Sequence, residues 1–276
     1  MTDYRTRLTN KKRIVIKIGT SSLSYPNGRL NFSRLEKLAY VLSAVRKKGM
    51  QVTLVSSGAI GVGAGRLGLE EKPAELAKKQ ALAAIGQAEL IKIYQKFFSG
   101  YSQIVAQVLL TKDVLNNSVR HHNAKSTLER LLEMEIIPII NENDTISTYE
   151  IEFGEFGDND TLSAIVAKLI QADLLIILSD IDGLFSADPR LKDDAEIIHT
   201  VSEITPELEK FANGAGSSFS TGGMITKLAA AKICCEENID VVITNGSEPK
   251  VIFEILKGKE IGTHFLPKRT DMVKNC

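Results

Sequence analysis

Short apolar runs alternate along this chain with longer segments of helical periodicity, and no other feature constrains the architecture as firmly. Arg13–Ile18, Gln51–Val55, Ile104–Leu109, Ile136–Ile140, Leu174–Leu178 and Asp240–Thr244 are nearly continuous strings of aliphatic and β-branched residues. That is the pattern of strands buried on both faces. Between the first two runs, Leu35, Leu38, Leu42 and Val45 fall on one helical face, with Ser33 as the expected N-cap and Gly49 just past the end. Pro73 is expected to open a long second helix, whose apolar positions Leu76, Leu82, Ile85, Ile93 and Phe97 recur until Gly100. A further helix is expected from about Val119 to Glu133. The repeated βα order predicts an α/β fold, an αβα sandwich with a mostly parallel central sheet and helices on both faces. In such sheets ligands bind beyond the carboxyl ends of the strands, which directs attention to the loops after Ile18, Val55, Ile140, Leu178 and Thr244.

Composition narrows the class of function. The chain has 276 residues, 43% of them hydrophobic, with 34 basic against 34 acidic side chains, so it can bury a large core. The balanced charge gives no overall pull toward nucleic acid or an anionic membrane, and any anion site must be local. Apolar runs such as Leu174–Leu178 fall far short of the roughly 20 residues that span a bilayer. The polar stretch from Met1 to Lys12 does not read as a secretory signal. Cys234, Cys235 and Cys276 offer neither a disulfide framework nor metal spacing, which points to a reducing cytoplasm. No repeat or linker divides the chain, so one continuous domain over 1–276 is expected.

Several of the strand-end loops carry chemistry. Lys17-Ile18-Gly19-Thr20-Ser21-Ser22 and Ser56-Ser57-Gly58-Ala59 through Gly65 are small Gly/Ser-rich turns. Each either lets backbone N–H groups approach a phosphate or carboxylate, or simply turns the chain tightly. Gly63-Ala64-Gly65-Arg66-Leu67-Gly68 matches G-x-G-x-x-G, yet it neither follows its strand directly nor opens the expected helix, so it reads as a decoy. Thr221-Gly222-Gly223-Met224-Ile225-Thr226-Lys227 leads straight into an Ala-rich helix, which places free N–H groups, a helix dipole and a lysine where a phosphate would bind. Ser179-Asp180-Ile181-Asp182 ends another strand and suits either a ribose, base or metal contact or an Asx turn. His121 and His122 read as solvated, and Cys234 and Cys235 as helix packing. The carboxylate- and amide-rich stretch from Asn141 to Ala164 reads as a loop that is either solvated or holds a cation.

Together, Lys17-Ile18-Gly19-Thr20-Ser21, Ser56-Ser57-Gly58-Ala59, Asn141-Glu142-Asn143-Asp144, Gly157-Asp158-Asn159-Asp160, Ser179-Asp180 and Thr221 through Lys227 resemble the amino-acid kinase family, and within it the branch that acts on glutamate. The likeness spans about Arg13 to Phe265. It implies ATP-dependent phosphorylation of the side-chain carboxylate of L-glutamate to glutamyl 5-phosphate, the first step of proline biosynthesis, with Mg²⁺ as the metal. It also implies a homo-oligomer, and because acyl phosphates hydrolyse readily, transient handover of the product to glutamate-5-semialdehyde dehydrogenase is expected. Many members of that branch carry a C-terminal PUA domain, and none is expected within these 276 residues.

By the same resemblance, Lys17 and Lys227 would approach the transferring phosphoryl group from opposite sides and Asp160 would orient both. Asp144, Asn159, Ser57 and Gly58 would take the amino acid, with Asp144 on the α-ammonium. The N-terminal part would hold mainly glutamate and the C-terminal part mainly ATP, through Lys17, Ser179, Asp180, Thr221, Gly222, Gly223, Met224, Ile225, Thr226 and Lys227. Mg²⁺ would be held by phosphate oxygens, with no side-chain ligand assigned. Glu150, Glu152 and Glu155 stay outside what the resemblance implies and read as a solvated flap over the substrate.

A carboxylate acceptor with a reference pKa of about 4.3 is already ionised at neutral pH, so no general base is required. The task is to overcome repulsion between a carboxylate and a triphosphate while holding the two in line. Other readings are a sister kinase acting on aspartate, carbamate, acetylglutamate or UMP, a catalytically silent amino-acid or nucleotide sensor, and a metal-dependent phosphohydrolase.

Overall fold

The computed structural model describes residues 4–25, 29–69, 73–146, 159–187, 192, 194–213 and 223–268. The six predicted strands form as β1 (Arg13–Ile18), β2 (Gln51–Val55), β3 (Val105–Leu110), β4 (Ile137–Glu142), β5 (Leu174–Ser179) and β7 (Asp240–Asn245). Two short strands without a sequence signal, β6 (Thr200–Val201) and β8 (Thr263–Phe265), extend one edge. The sheet runs in the order β3-β4-β2-β1-β5-β7-β8-β6. All pairs are parallel except β7 with β8. The chain builds β2, β4 and β3 on one side of β1 and then crosses to place β5 and β7 on the other, so the topological switch lies at the carboxyl end of β1.

Helices cover both faces. On one, Val15, Val55, Ile140, Leu175 and Ile177 pack against Leu128 and Leu132 of α5 (Ser118–Glu133), Leu162 and Val166 of α6 (Asn159–Leu169), and Leu228 and Ala231 of α8 (Gly223–Glu236). On the other, Ile14, Ile16, Ile18, Leu54 and Ile176 meet α2 (Phe32–Lys47), α4 (Leu76–Ser99) and α9 (Val251–Leu256). Among the described residues the remaining α-helices are α1 (Thr20–Leu23), α3 (Ala59–Arg66) and α7 (Pro206–Asn213). Each fully buried aliphatic side chain in these two cores contributes roughly 1.5–3 kcal/mol of transfer free energy. Among the described residues no helix is long and apolar enough to cross a membrane.

Four expectations need correction. The cap of α2 is Asn31, whose side chain accepts from the Arg34 N–H at 3.0 Å, whereas Ser33 lies inside the helix. The long helix begins at Leu76, so Pro73 precedes it. The Gly-rich segment after Gly58 is not a loop but helix α3, in which Gly63 lets α4 approach so closely that a Cβ would stand 2.0 Å from the Leu82 carbonyl oxygen. The acidic stretch is also shorter than expected, since Asn141 and Glu142 complete β4 and α6 already starts at Asn159.

Candidate active site

Period-two alternation places Lys17 on the same face of β1 as Val15, toward α6. There its Nζ lies 2.7 Å from Asp160 Oδ1. Asp160, in the first turn of α6, is completely buried, and its other oxygen is 3.1 Å from Lys227 Nζ. Lys227 stands one turn into α8 and also donates to the Gly223 carbonyl at 2.8 Å. Thr226 Oγ1 donates to the same Asp160 oxygen at 2.9 Å. Two lysines and a threonine from β1 and α8 therefore converge on one carboxylate of α6, with Lys17 and Lys227 only 3% and 6% exposed. Ion groups this deeply buried persist only with their partners in place, since removing one leaves an uncompensated charge.

The amide of Asn159, one residue before Asp160, organises the neighbouring turn. Its Nδ2 approaches Ser56 O at 2.5 Å, Ser57 Oγ at 2.7 Å and Asn141 Oδ1 at 2.9 Å. Gly58 follows in the left-handed region at φ 96°, where glycine has no steric penalty. Asn141 Nδ2 and Asn159 Oδ1 are buried and have no partner among the described residues. An orphan donor and an orphan acceptor side by side suit a ligand that carries both kinds of group.

Asp144 stands just beyond β4 and has no hydrogen-bond partner among the described residues. Burial, and secondarily the charge of Glu142, push its carboxyl up to about 6. Such a carboxylate gains more from a cation than a solvated one does. Glu142 itself, only 1% exposed, was given no role by sequence. Nothing in the Asn-Glu-Asn-Asp string distinguishes a buried glutamate from a solvated one.

A cavity of about 890 Å³ opens along the carboxyl ends of the strands, lined among others by Thr20, Ser21, Gly58, Gly61, Ser179 and Asp180. Ser179 Oγ donates to Asp180 Oδ1 at 3.0 Å. Arg34 ties the two rims together, donating to Ser22 O at 2.8 Å and Ser247 O at 3.0 Å. Arg34, Asn245 and Ser247 also line this space, and sequence reasoning located only the strand end that carries the last two. Gly19 joins cavity and lysine: a Cβ there would lie 3.6 Å from Lys17 Nζ and 3.9 Å from Ser21 Oγ.

The structure thus brings together Lys17, Asp160, Thr226, Lys227 and Gly223 in one cluster and Ser57, Gly58 and Asn159 in an adjacent one. Gly58, Ser179 and Asp180 border the cavity. Met224 is buried in the core beneath α8, and Ile225 follows it on the same helix. Thr221, Gly222, Glu150, Glu152 and Glu155 lie outside the described residues. His121 and His122 stay on a largely open helix face, and Cys234 and Cys235 are buried in packing, as expected. Two buried ammonium groups flanking a single carboxylate fit a polyanion such as a triphosphate. No group of three or more His, Cys, Asp or Glu side chains among the described residues could hold a metal ion.

An αβα sandwich with a lysine–aspartate–lysine cluster at the switch point of its sheet defines a class, and the amino acid kinase family model matches residues 12–245. The chain belongs to the amino acid kinase family. The UMP kinase of Bacillus anthracis has the same fold, with a TM-score of 0.62 at 18% identity over 94% of this chain and 97% of that one. Isopentenyl phosphate kinase superposes with a TM-score of 0.64 at 16% identity over 92% of this chain and 99% of that one. In sequence the chain is similar to the glutamate 5-kinase of Clostridium perfringens, 54% identical over 96% of this chain and 99% of the relative. It is similar also to the glutamate 5-kinases of Listeria monocytogenes (52% identical, 97% of each chain) and Lactococcus lactis (53% identical, 96% of this chain and 98% of that one).

Proposed function

We infer that this chain is a glutamate 5-kinase, transferring the γ-phosphoryl group of ATP to the side-chain carboxylate of L-glutamate as the first step of proline biosynthesis. The observation that carries the reading is the Lys17–Asp160–Lys227 cluster, in a chain 54% identical to a glutamate 5-kinase along nearly its whole length. The acceptor oxygen is already anionic, so the chain's residues need to supply charge and alignment, not a base. Lys17 and Lys227 draw the phosphoryl oxygens from two sides, and Asp160 holds both ammonium groups at fixed positions. Lys17 sits on a strand and Lys227 on a helix, so neither head group has to be recruited from a loop.

On the substrate side, Asp144 and the unpartnered Asn159 Oδ1 take the α-ammonium, while Ser57 and the N–H groups around Gly58 take carboxylate oxygens. On the nucleotide side, Ser179, Asp180 and the segment 221–227 receive ATP. Mg²⁺ bound to the triphosphate supplies neutralisation of its charge. The enzyme acts in the cytoplasm as a homo-oligomer, passes its labile acyl phosphate to glutamate-5-semialdehyde dehydrogenase, and uses the whole of 1–276 as one amino-acid kinase domain. The test is hydroxamate trapping of glutamyl phosphate from purified protein with ATP, Mg²⁺ and glutamate. A hydroxamate signal with glutamate is expected; its absence, with ADP released on aspartate or carbamate instead, would reassign the substrate.

A further inference from the structure

Helix α4 lies on the face of the sheet opposite α6 and α8, yet its inner stripe reaches three separate parts of the substrate half of the site. Gly86 lies against α3: a Cβ there would stand 1.7 Å from the Ala59 carbonyl oxygen, so the two helices meet backbone to backbone. Gln87, next along, is buried and donates from Nε2 to the Glu142 carbonyl at the end of β4 at 3.2 Å. Two turns further, Tyr94 Oη is 2.8 Å from Ser56 Oγ. Tyr94 and Ser56 are both completely buried.

The Tyr94–Ser56 contact calls for an explanation that packing does not supply. A phenylalanine would fill the same space beside Phe98 and Leu90, and an alanine would serve at the end of β2. Burying two hydroxyl groups costs free energy that their mutual hydrogen bond only offsets. What the bond does secure is position. Ser56 immediately precedes Ser57 and Gly58, its carbonyl accepts from Asn159 at 2.5 Å, and the same amide donates to Ser57 Oγ. Tyr94 thus grips the turn from the α4 side of the sheet while Asn159 grips it from the α6 side.

We propose that Tyr94 is a positioning residue for the amino-acid substrate: its hydroxyl fixes Ser56 and so aims the Ser57–Gly58 turn at the substrate carboxylate. The proposal rests on the assignment of that turn to glutamate. Steady-state kinetics of Tyr94→Phe, Ser56→Ala and the double variant test it, with thermal midpoints recorded for each. The expected result is a KM for glutamate raised about tenfold, with kcat and the KM for ATP within about twofold, as loss of one oriented buried hydrogen bond gives. The double variant should be no worse than either single one, because each removes the same bond. Parallel rises in both KM values, unchanged kinetics, or additive losses in the double variant would overturn it. Should Tyr94→Phe not yield folded protein, Ser56→Ala alone carries the same comparison. Wild-type protein measured alongside separates the two ideas: no glutamate turnover there refutes the function, whereas normal turnover with an unaffected Tyr94→Phe refutes only the role of Tyr94.

Discussion

At the scale of single residues, the site is a problem of where charge can be kept. Asp160 is fully buried between two ammonium groups, so each lysine is oriented by the carboxylate before any phosphate arrives. Lys17→Ala and Lys227→Ala should each lower kcat by on the order of a hundredfold or more, the effect of losing one transition-state donor. Normal turnover in a coupled ADP assay would remove that lysine from the chemistry. Asp144 makes a second prediction, in pH. Burial and Glu142 hold its carboxyl at about 6 against an ordinary 3.8, so the folded protein takes up a proton that the unfolded chain does not between those values. The ionised form therefore costs stability at neutral pH, and that cost is relieved as pH falls through 6. Ligand binding runs the other way, because only ionised Asp144 can pair with an ammonium. The Kd for glutamate, measured by titration calorimetry, should rise toward about tenfold per unit below pH 6. In Asp144→Asn it should be weak and flat over the same range.

At the scale of elements, the strands were the legible part. A buried parallel strand must be apolar nearly throughout, and Arg13–Ile18 and Gln51–Val55 were located to the residue for that reason. Helix α3 was not legible, because glycine in a helix is disfavoured by local propensity and only tertiary packing overrides it. The contact that overrides it lies far along the chain, at Leu82 and Gly86 of α4. Gln87 and Tyr94 were hidden too: the expected apolar stripe of α4 ran through Ile85, Ile93 and Phe97, whereas the buried face carries Gln87, Leu90, Tyr94 and Phe98, and nothing in the sequence marks the two polar ones as anchors. Lys17, Asp160 and Lys227 were recognisable because each sits in a short motif, although their convergence appears only in three dimensions. The α3–α4 contact gives the prediction at this scale. Gly86→Ala would drive a methyl group into the Ala59 backbone at 1.7 Å, so α3 must move, at a cost of roughly 1–3 kcal/mol for overpacking. A lowered urea midpoint should come with a raised KM for glutamate, since Gly58 leads directly into α3. An unchanged midpoint would show that the helices part freely.

Across the whole molecule, the sheet separates chemistry from anchorage. Among the described residues, every assigned site residue lies at or just beyond the carboxyl ends of the parallel strands or in the helices that start there, whereas Asp240 heads β7 at the opposite end. From Asp240 to Asn245 the strand climbs about 16 Å. Asp240 ties the N-terminal segment to the sheet: Lys11 Nζ is 2.5 Å away, Arg7 Nη2 3.3 Å, and His264 Nε2 2.7 Å, with the aspartate and the histidine fully buried. Burial alone would raise the Asp240 carboxyl, but hydrogen bonds from His264 and Lys11 outweigh it and hold the group at about 2. Burial also lowers His264, which stays neutral where an exposed imidazole would begin to charge. Both groups bind fewer protons folded than unfolded, so both favour folding at neutral pH. The contribution of His264 fades as pH drops below 6.5, and that of Asp240 fades as pH drops from 3.8 toward 2. Asp240→Asn should therefore cost on the order of 3 kcal/mol at pH 7, as breaking one side of a buried ion network does. The gap between wild type and variant should narrow as acid protonates the wild-type carboxyl. Because this cluster shares no side chain with the site, KM for glutamate and for ATP should be unchanged below the unfolding temperature. Urea midpoints compared at pH 7 and near pH 3 check the first claim, and a change in either KM would mean that the two ends of the sheet are coupled.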